Sequence, residues 1–209
     1  MKISILLDNR TSWYLPWAMR LQWSLRRAGH AAYLFHDTVA PGDIACILSC
    51  EKIVSKETLA LNKCNLIVHS SDLPQGRGFS PLTYQVLEGK NVIVNTLFEA
   101  IEDADAGVIY DKRAFTLNGT ELLSEMHEIQ GAMINEMILD FIANPVTGLP
   151  QIGESSYYKR RTPKDSELDI NKTINEQFSL LRVVDNDRYP AFFYRDGCKY
   201  VIRIRKEAD

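Results

Sequence analysis

The order of apolar and polar runs along this chain predicts an α/β fold. The expected form is a three-layer, mostly parallel sheet with a small C-terminal extension made of a helix and a β-hairpin. Three observations predict it. Short apolar runs alternate with longer amphipathic segments over the first two thirds of the chain, the pattern of strand–helix–strand units in a parallel sheet. Gly29 and Gly89 stand where helices should end. The 209 residues are 45% hydrophobic and 24% charged, enough apolar side chains for one core and unlike a collagenous or disordered chain.

Taken in order, Ile3 to Leu7 is an apolar run ending at Asp8 and reads as a buried strand. A polar loop from Asp8 to Ser12 leads into a helix over about 14–28, with Leu15, Met19, Leu21, Trp23 and Leu25 as its apolar positions. Strands are expected at Ala31–Phe35, Asp43–Leu48 and Leu66–Val68, with a short helix at Lys56–Leu61. Pro81–Gly89 reads as a helix and Val92–Leu97 as a strand. A long helix is predicted from Thr120 to Ala143, with Leu122, Met126, Ile129, Met133, Met137 and Phe141 on one stripe and Asn144-Pro145 as its stop. After Pro145 the character changes. A loop rich in Gly and Pro precedes a helix at Ile174–Val184, then strands at Phe192–Tyr194 and Lys199–Ile204 joined by an Asp196-Gly197 turn. The division expected is a core over 1–145 and an extension over 146–209.

Charge and cysteine usage narrow the function classes. The 24 basic and 27 acidic residues leave a net charge of −3, with no electrostatic footprint for nucleic acid. No apolar run is long enough to span a bilayer, so no membrane partner is expected. The first apolar stretch is too short for a signal peptide, which points to the cytoplasm. The four cysteines are then free thiols in a reducing compartment. Cys46 and Cys50 share an i, i+4 spacing, but no His or Cys cluster completes a metal set, and no metal is expected.

Ligands of such sheets gather beyond the carboxyl ends of the strands. His69 falls at such an end, directly after the apolar run 66–68. Asp105 lies thirty-six residues further on, in a loop that follows the next strand region. Each alone has an ordinary reading, a hydrogen-bonded structural histidine and a turn aspartate. Read with their neighbours, they resemble a known site. His69-Ser70-Ser71-Asp72-Leu73-Pro74 followed by Arg77-Gly78-Phe79-Ser80-Pro81 resembles the His-x-Ser-x-Leu-Pro…Arg-Gly-x-x-Pro signature of formyltetrahydrofolate-dependent formyltransferases. Asp105-Ala106-Gly107 resembles that family's Asp-x-Gly, at the family's interval. Tyr158 to Asp165, with Arg160-Arg161-Thr162-Pro163 at its centre, is similar to a segment of sugar N-formyltransferases, as are Leu180-Leu181-Arg182 and Tyr189-Pro190-Ala191-Phe192. Three motifs in order, from about residue 44 onward, carry the resemblance.

The resemblance implies a Rossmann-like formyltransferase fold and transfer of a formyl group from N10-formyltetrahydrofolate to an amine. The chemistry suits the residues: a protonated His69 stabilises the oxyanion of a tetrahedral intermediate, and Asp105 holds the imidazole and helps remove the amine proton. No nucleophilic hydroxyl is needed, and Ser70 and Ser71 read as turn residues. One position departs from the pattern. The family places Asn two residues before the histidine, and this chain has Ile67 there. Asn65 points to the same side of an extended strand, two residues further back, and is a candidate substitute; the alternatives are that His69 and a water carry the oxyanion or that another amide substitutes.

By the same resemblance, Cys50, Lys52 and Ile53 line one side of a pterin pocket and Ile101, Glu102 and Asp103 the other. Acceptor contacts are expected from Asn9, Arg10, Ser12 and Trp13 in the first loop. Arg10, Arg77, Arg160 and Arg161 are candidates for phosphate oxygens, which guanidinium groups bind in pairs. The first loop lacks the glycine pattern of a dinucleotide site. The acceptor implied is a nucleotide-linked 4-amino-4,6-dideoxysugar of bacterial surface-glycan or flagellin-sugar biosynthesis, as in the pseudaminic-acid branch. The alternatives are a methionyl-tRNA formyltransferase-like enzyme, and a folate- or nucleotide-sugar-binding protein that has lost catalysis. The hairpin carries more apolar surface than two short strands bury alone, which suggests a homodimer through the extension or packing on the core.

Overall fold

A computed structural model describes residues 1–207; the last two residues of the 146–209 segment lie outside them. The elements in order are β1 (Lys2–Leu6), α1 (Leu15–Arg27), β2 (Ala31–Phe35), β3 (Gly42–Ile47), α2 (Lys56–Leu59), β4 (Asn62–His69), β5 (Arg77–Gly78), α3 (Pro81–Leu87), β6 (Val92–Glu99) and β7 (Ile109–Thr116). They continue with α4 (Leu123–Ala143), β8 (Tyr157–Tyr158), α5 (Phe178–Val183), β9 (Ala191–Arg195) and β10 (Cys198–Ile202). Six strands form the main sheet in the order β2-β1-β3-β4-β6-β7. The first four are parallel, while β6 runs against both β4 and β7. The reversal has a local cause: the chain leaves β4 at its carboxyl end, builds a loop and α3 there, and re-enters the sheet from that same end.

Alternation along the strands divides the core. Ile3, Ile5, Cys46, Leu48 and Leu66 face α1 and α4, where they meet Ala18, Leu21 and Leu25 of α1 and Ile134, Met137, Ile138 and Phe141 of α4. Leu6, Ala45, Ile47 and Ile67 face the opposite side, covered by Val39, Ala100 and Leu59 of α2. A smaller cluster of Leu82, Val86, Ile93, Phe115, Met126 and Val183 joins α3, α4 and α5 to the sheet edge.

Several expectations need correcting. Strand β7 had no signal in the reading because it is an edge strand whose Asp111, Lys112 and Arg113 break the apolar pattern, the usual way an edge is kept from pairing with another chain. On α1 the buried positions are Ala18, Leu21 and Leu25, while Met19 and Trp23 fall on the opposite face and are more than half exposed. On α4 Ile129 is exposed, and the buried arc includes polar Gln130 and Asn135, the latter accepting a 2.6 Å hydrogen bond from Tyr14 Oη. The helix expected over 174–184 is a short 3-10 turn, Asn175–Gln177, followed by α5. The hairpin is formed as expected, with φ of +51° at Asp196 and +78° at Gly197, the signs of a type I′ turn.

The segment after Pro145 is fastened to the core from its start, where Leu149 bridges Ile109 of β7, and at two further places. Strand β8 pairs in parallel with β5. From α5, Arg182 reaches Glu121 just before α4: its Nε donates to the Glu121 carbonyl at 2.9 Å and its Nη2 to the carboxylate at 3.1 Å, both side chains being almost fully buried. Burial alone would raise the Glu121 carboxyl, but the Asn118 and Gly119 amides and the Arg182 charge outweigh it and hold the group below its usual range. A depressed carboxylate contributes stability at neutral pH that is lost as the pH falls below about 4. Breaking the pair leaves a buried charge uncompensated, so Arg182→Leu should lower unfolding free energy by about 3 kcal/mol at pH 7. Urea denaturation measures this, and the gap between wild type and variant should narrow on acidification; an equal midpoint at pH 7 would remove the pair from the scaffold.

Candidate active site

His69 is the last residue of β4, so the strand itself delivers its side chain to the carboxyl end of the sheet. The ring is 9% exposed. Its Nε2 lies 2.8 Å from the Gly76 carbonyl oxygen. A carbonyl only accepts, so Nε2 carries a proton and Nδ1 is the nitrogen left for chemistry. That Nδ1 stands 4.0 Å from Asp105 Oδ1, within ion-pair reach and longer than a direct hydrogen bond. The other carboxylate oxygen, Oδ2, accepts the Gly78 amide at 2.8 Å.

The loop that carries Asp105 is shaped by its own sequence. Asp105 takes a φ of +55°, a left-handed conformation that Asp and Asn tolerate better than most residues. Two residues on, a Cβ on Gly107 would lie 1.8 Å from the Glu99 carbonyl oxygen, so only glycine lets the loop return against the end of β6. Gln151 Nε2 donates to the Asp105 and Gly107 carbonyls at 2.8 and 2.9 Å and pins the loop from outside. On the facing side, a Cβ on Gly78 would lie 2.4 Å from the Tyr158 carbonyl oxygen across the β5–β8 pair.

Ser70 and Ser71, expected as turn residues, are instead buried anchors. Ser70 Oγ donates to Asn95 Oδ1, Gln85 Nε2 donates to the Ser70 carbonyl, and Thr96 Oγ1 donates to the Ser71 carbonyl. They fix the segment after β4 to its neighbour β6, and with it the setting of His69.

His69 and Asp105 open on a cleft of about 460 Å³. The structure gathers Cys50, Lys52, Ile53 and Ile101 in its lining, together with Ser12, Trp13, Arg160 and Arg161. The Cys50–Lys52 backbone is set by Asp8, whose carboxylate accepts the Glu51 amide at 2.9 Å and the Lys52 amide at 2.8 Å. Ile53 is 75% exposed and Ile101 44% exposed, apolar surface of the kind a planar ring would cover. Burial pushes the Cys50 thiol up to about 12, so it is a neutral wall at pH 7.

Six expected site residues lie elsewhere. Asn65 is about 13 Å back along β4 from His69; its Nδ2 donates to the Leu59 carbonyl, away from the cleft. Glu102 turns outward to pair with Lys56, and Asp103 is exposed in the same turn. Asn9 closes its own loop by accepting the Thr11 amide and donates to Glu51, while Arg10 is exposed. Arg77 is committed to Gln151 Oε1 at 2.6 Å and the Tyr157 hydroxyl at 3.2 Å, so it braces the residue that pins the Asp105 loop.

The cleft also has residues the sequence reading missed. His127, Gln130 and Ile134 project from one face of α4, the first two at a spacing a helix repeat would have flagged as polar interruptions of an apolar stripe. Ser49, Asp185, Arg188 and Tyr189 also line the cleft. The His127 ring stacks on Trp13 with centroids 3.9 Å apart and planes 13° from parallel. Among the described residues no cluster of three or more His, Cys, Asp or Glu could hold a metal ion, and no helix is long and apolar enough to cross a membrane.

Comparison with known proteins finds relatives by sequence and by fold. No protein-family model matches the chain. A methionyl-tRNA formyltransferase from Thermodesulfovibrio yellowstonii is 29% identical over 145 residues, 67% of this chain and 47% of that protein. The chain thus spans about half the length of such curated relatives. Among solved structures, a methionyl-tRNA formyltransferase from Clostridium thermocellum superposes with a TM-score of 0.85 at 19% identity, covering 100% of this chain and 94% of that one. HypX from Aquifex aeolicus in complex with tetrahydrofolic acid gives 0.77 at 17%, covering 98% and 37%. A sugar N-formyltransferase from a Shewanella species gives 0.69 at 16%, covering 100% and 99%. At these identities the structures share the fold.

Burial lowers the His127 imidazole to about 4, against a smaller opposing pull from the Asp185 charge. The sign of the consequence is fixed: between pH 6.5 and 4 the unfolded chain binds a proton here that the folded chain refuses. Stability therefore falls as the pH drops through this window, by at most about 1.4 kcal/mol per pH unit. His127→Gln should flatten that slope in urea denaturation at pH 7, 6 and 5. Equal slopes in variant and wild type would show that the ring is freely protonated in the fold.

Proposed function

We propose that this chain, related to the formyltransferases by sequence and fold, moves a formyl group from N10-formyltetrahydrofolate to the amine of a nucleotide-linked 4-amino-4,6-dideoxysugar. The observation that carries the reading is the facing pair of His69 Nδ1 and Asp105 Oδ1 at 4.0 Å, each the free atom of a group whose other end is fixed. The amine nitrogen attacks the formyl carbon. His69, protonated at both nitrogens, donates from Nδ1 to the developing oxyanion, while Asp105 Oδ1 accepts the proton that the attacking amine loses. The oxyanion then collapses, the bond from the formyl carbon to N10 breaks, and N10 takes up the proton held on Asp105 and leaves as tetrahydrofolate. Ile67 lines the cleft with no donor to add, and Gln130 Nε2 is given to Ser70 Oγ, so oxyanion stabilisation rests on His69.

Ligand placement follows the chemistry of the lining. The exposed Ile53 and Ile101, beside the Cys50–Lys52 backbone, suit the pterin. Ser12, Trp13 and Arg160 suit the acceptor and its phosphates, which would make residues 146–209 a supplier of acceptor contacts to a core of 1–145. The setting proposed is surface-glycan or flagellin-sugar synthesis in the cytoplasm. Tyr194 and Val201 on one face of the hairpin and Tyr200 on the other are half-exposed, and this apolar surface is offered to a homodimer, while Phe192 is buried and Phe193 and Ile202 pack against the cluster of Leu168, Leu181 and Val184. A dimer mass in light scattering is the expected result there, and a monomer mass at micromolar concentration contradicts it.

A second reading, transfer to methionyl-tRNA, is favoured by the curated relatives the chain matches. The net charge of −3 and the cleft-sized acceptor side support the sugar. A panel of nucleotide-linked amino sugars and initiator methionyl-tRNA, assayed with N10-formyltetrahydrofolate, separates the two; product on the tRNA alone would replace the sugar reading. With the competent acceptor, His69→Ala should lower turnover at least about a hundredfold. Asp105→Asn should remove most activity while leaving folate binding intact, because Asn keeps both the left-handed backbone and an acceptor for the Gly78 amide. Full turnover in either folded variant would remove that residue from the mechanism.

A further inference from the structure

Glu51 ties together three segments that are distant in the chain. Asn9 Nδ2 donates to its Oε1 at 3.0 Å, and Arg188 Nη2 donates to the same oxygen at 2.9 Å. Arg160 Nη2 donates to its carbonyl at 3.2 Å and stands 3.8 Å from its Oε2. All three charged side chains line the cleft, and all remain substantially exposed, at 58% for Arg160, 44% for Arg188 and 42% for Glu51. The arrangement is one carboxylate held between two guanidinium groups at the mouth of the site. Hydrogen bonds from Asn9 and Arg188 hold that carboxyl below its usual range, so it is an anion at neutral pH.

We propose that Arg160 and Arg188 form a phosphate site at the cleft mouth, which the Glu51 carboxylate fills until the diphosphate of the acceptor displaces it. This deepens the reading of a nucleotide-linked acceptor and rests on it. Three features support the exchange. Two guanidinium groups outmatch one carboxylate in charge, and they suit the paired oxygens and greater charge of a phosphate. Solvent-exposed ion pairs contribute little net stability, so the carboxylate is released at small cost. The Glu51 and Lys52 amides are held by Asp8, independently of the Glu51 side chain, so the carboxylate can swing away without moving the cleft wall. Arg161 is turned aside to the Asp165 carbonyl, and Asp185 accepts the Arg188 amide with its carboxylate. Neither occupies the space between Arg160 and Arg188 that Glu51 holds.

The test uses inorganic pyrophosphate, titrated calorimetrically into the whole protein without turnover. Wild type should bind it, and Arg188→Gln and Arg160→Gln should each weaken binding at least about fivefold. Glu51→Gln should tighten binding about three- to tenfold, because it removes the competing charge. In assays, Arg188→Gln should raise the KM for the nucleotide-linked acceptor and leave the KM for the folate cosubstrate unchanged. Absence of pyrophosphate binding to wild type, unchanged binding in folded Arg188→Gln and Arg160→Gln, or no tightening in folded Glu51→Gln would overturn the proposal. So would a rise in the folate KM alone, which would assign the arginines to the folate carboxylates. Because pyrophosphate binding is read without catalysis, a wrong choice of acceptor would show as missing formyl transfer while the titration still judged the site.

Discussion

The candidate site depends on one short strand. β5 is two residues long, yet atoms in it and beside it hold both candidate side chains: the Gly76 carbonyl takes the His69 Nε2–H, and the Gly78 amide holds Asp105 Oδ2. The segment has no strength of its own, since a two-stranded ribbon is marginal in water. It stays in place because β8 pairs with it, the Ser156 hydroxyl accepts the Gly76 amide, and the Arg77 side chain is spent on Gln151 and Tyr157. Gln151 in turn pins the Asp105 loop, closing a ring of constraints around the two side chains. A positioning error of the order of 1 Å costs about a hundredfold in such chemistry, which is reason enough for bracing of this density.

Residues after Pro145 thereby act twice. They brace β5 through β8, and they bring Arg160, Arg161, Asp185 and Arg188 to the lining of the cleft. The buried Arg182–Glu121 pair keeps that segment in register with α4, the helix that contributes His127 and Gln130. Scaffold and binding wall are one assembly, so damage to the anchor should be felt at the mouth of the cleft.

Much of this was legible in the sequence, and the rest has identifiable causes. Strand β1 was found within a residue or two because burial on both faces leaves a continuous apolar run, and β2, an edge strand with Tyr33 exposed, because its five residues are all apolar or aromatic in type. Strand β7 was hidden by the charges that suit an edge. His69 and Asp105 could be singled out because a strand end and an Asp-x-Gly turn leave local signatures and their spacing matched a known pattern, and the structure sets the two side chains 4.0 Å apart. Arg77 was placed in the site by charge alone, whereas its hydrogen bonds show it serving Gln151. His127 and Arg188 were missed because each reaches the cleft only through tertiary packing, from a helix and a loop more than fifty residues from His69. Single-sequence reasoning sees residue types at short spacing; it does not see which long side chains are already engaged.

The account turns on which imidazole nitrogen is free. If Gly76 holds Nε2–H, neutral His69 must be the Nε2–H tautomer, and its Nδ1 faces Asp105 and the substrate. Nitrogen-15 NMR of the histidine rings at pH 8, with His69 assigned through His69→Gln, reads the tautomer directly. A pyrrole-type shift at Nε2 with a pyridine-type shift at Nδ1 is the expected result. The reverse pattern would place the proton on Nδ1, break the Gly76 contact, and contradict the arrangement on which the mechanism is built.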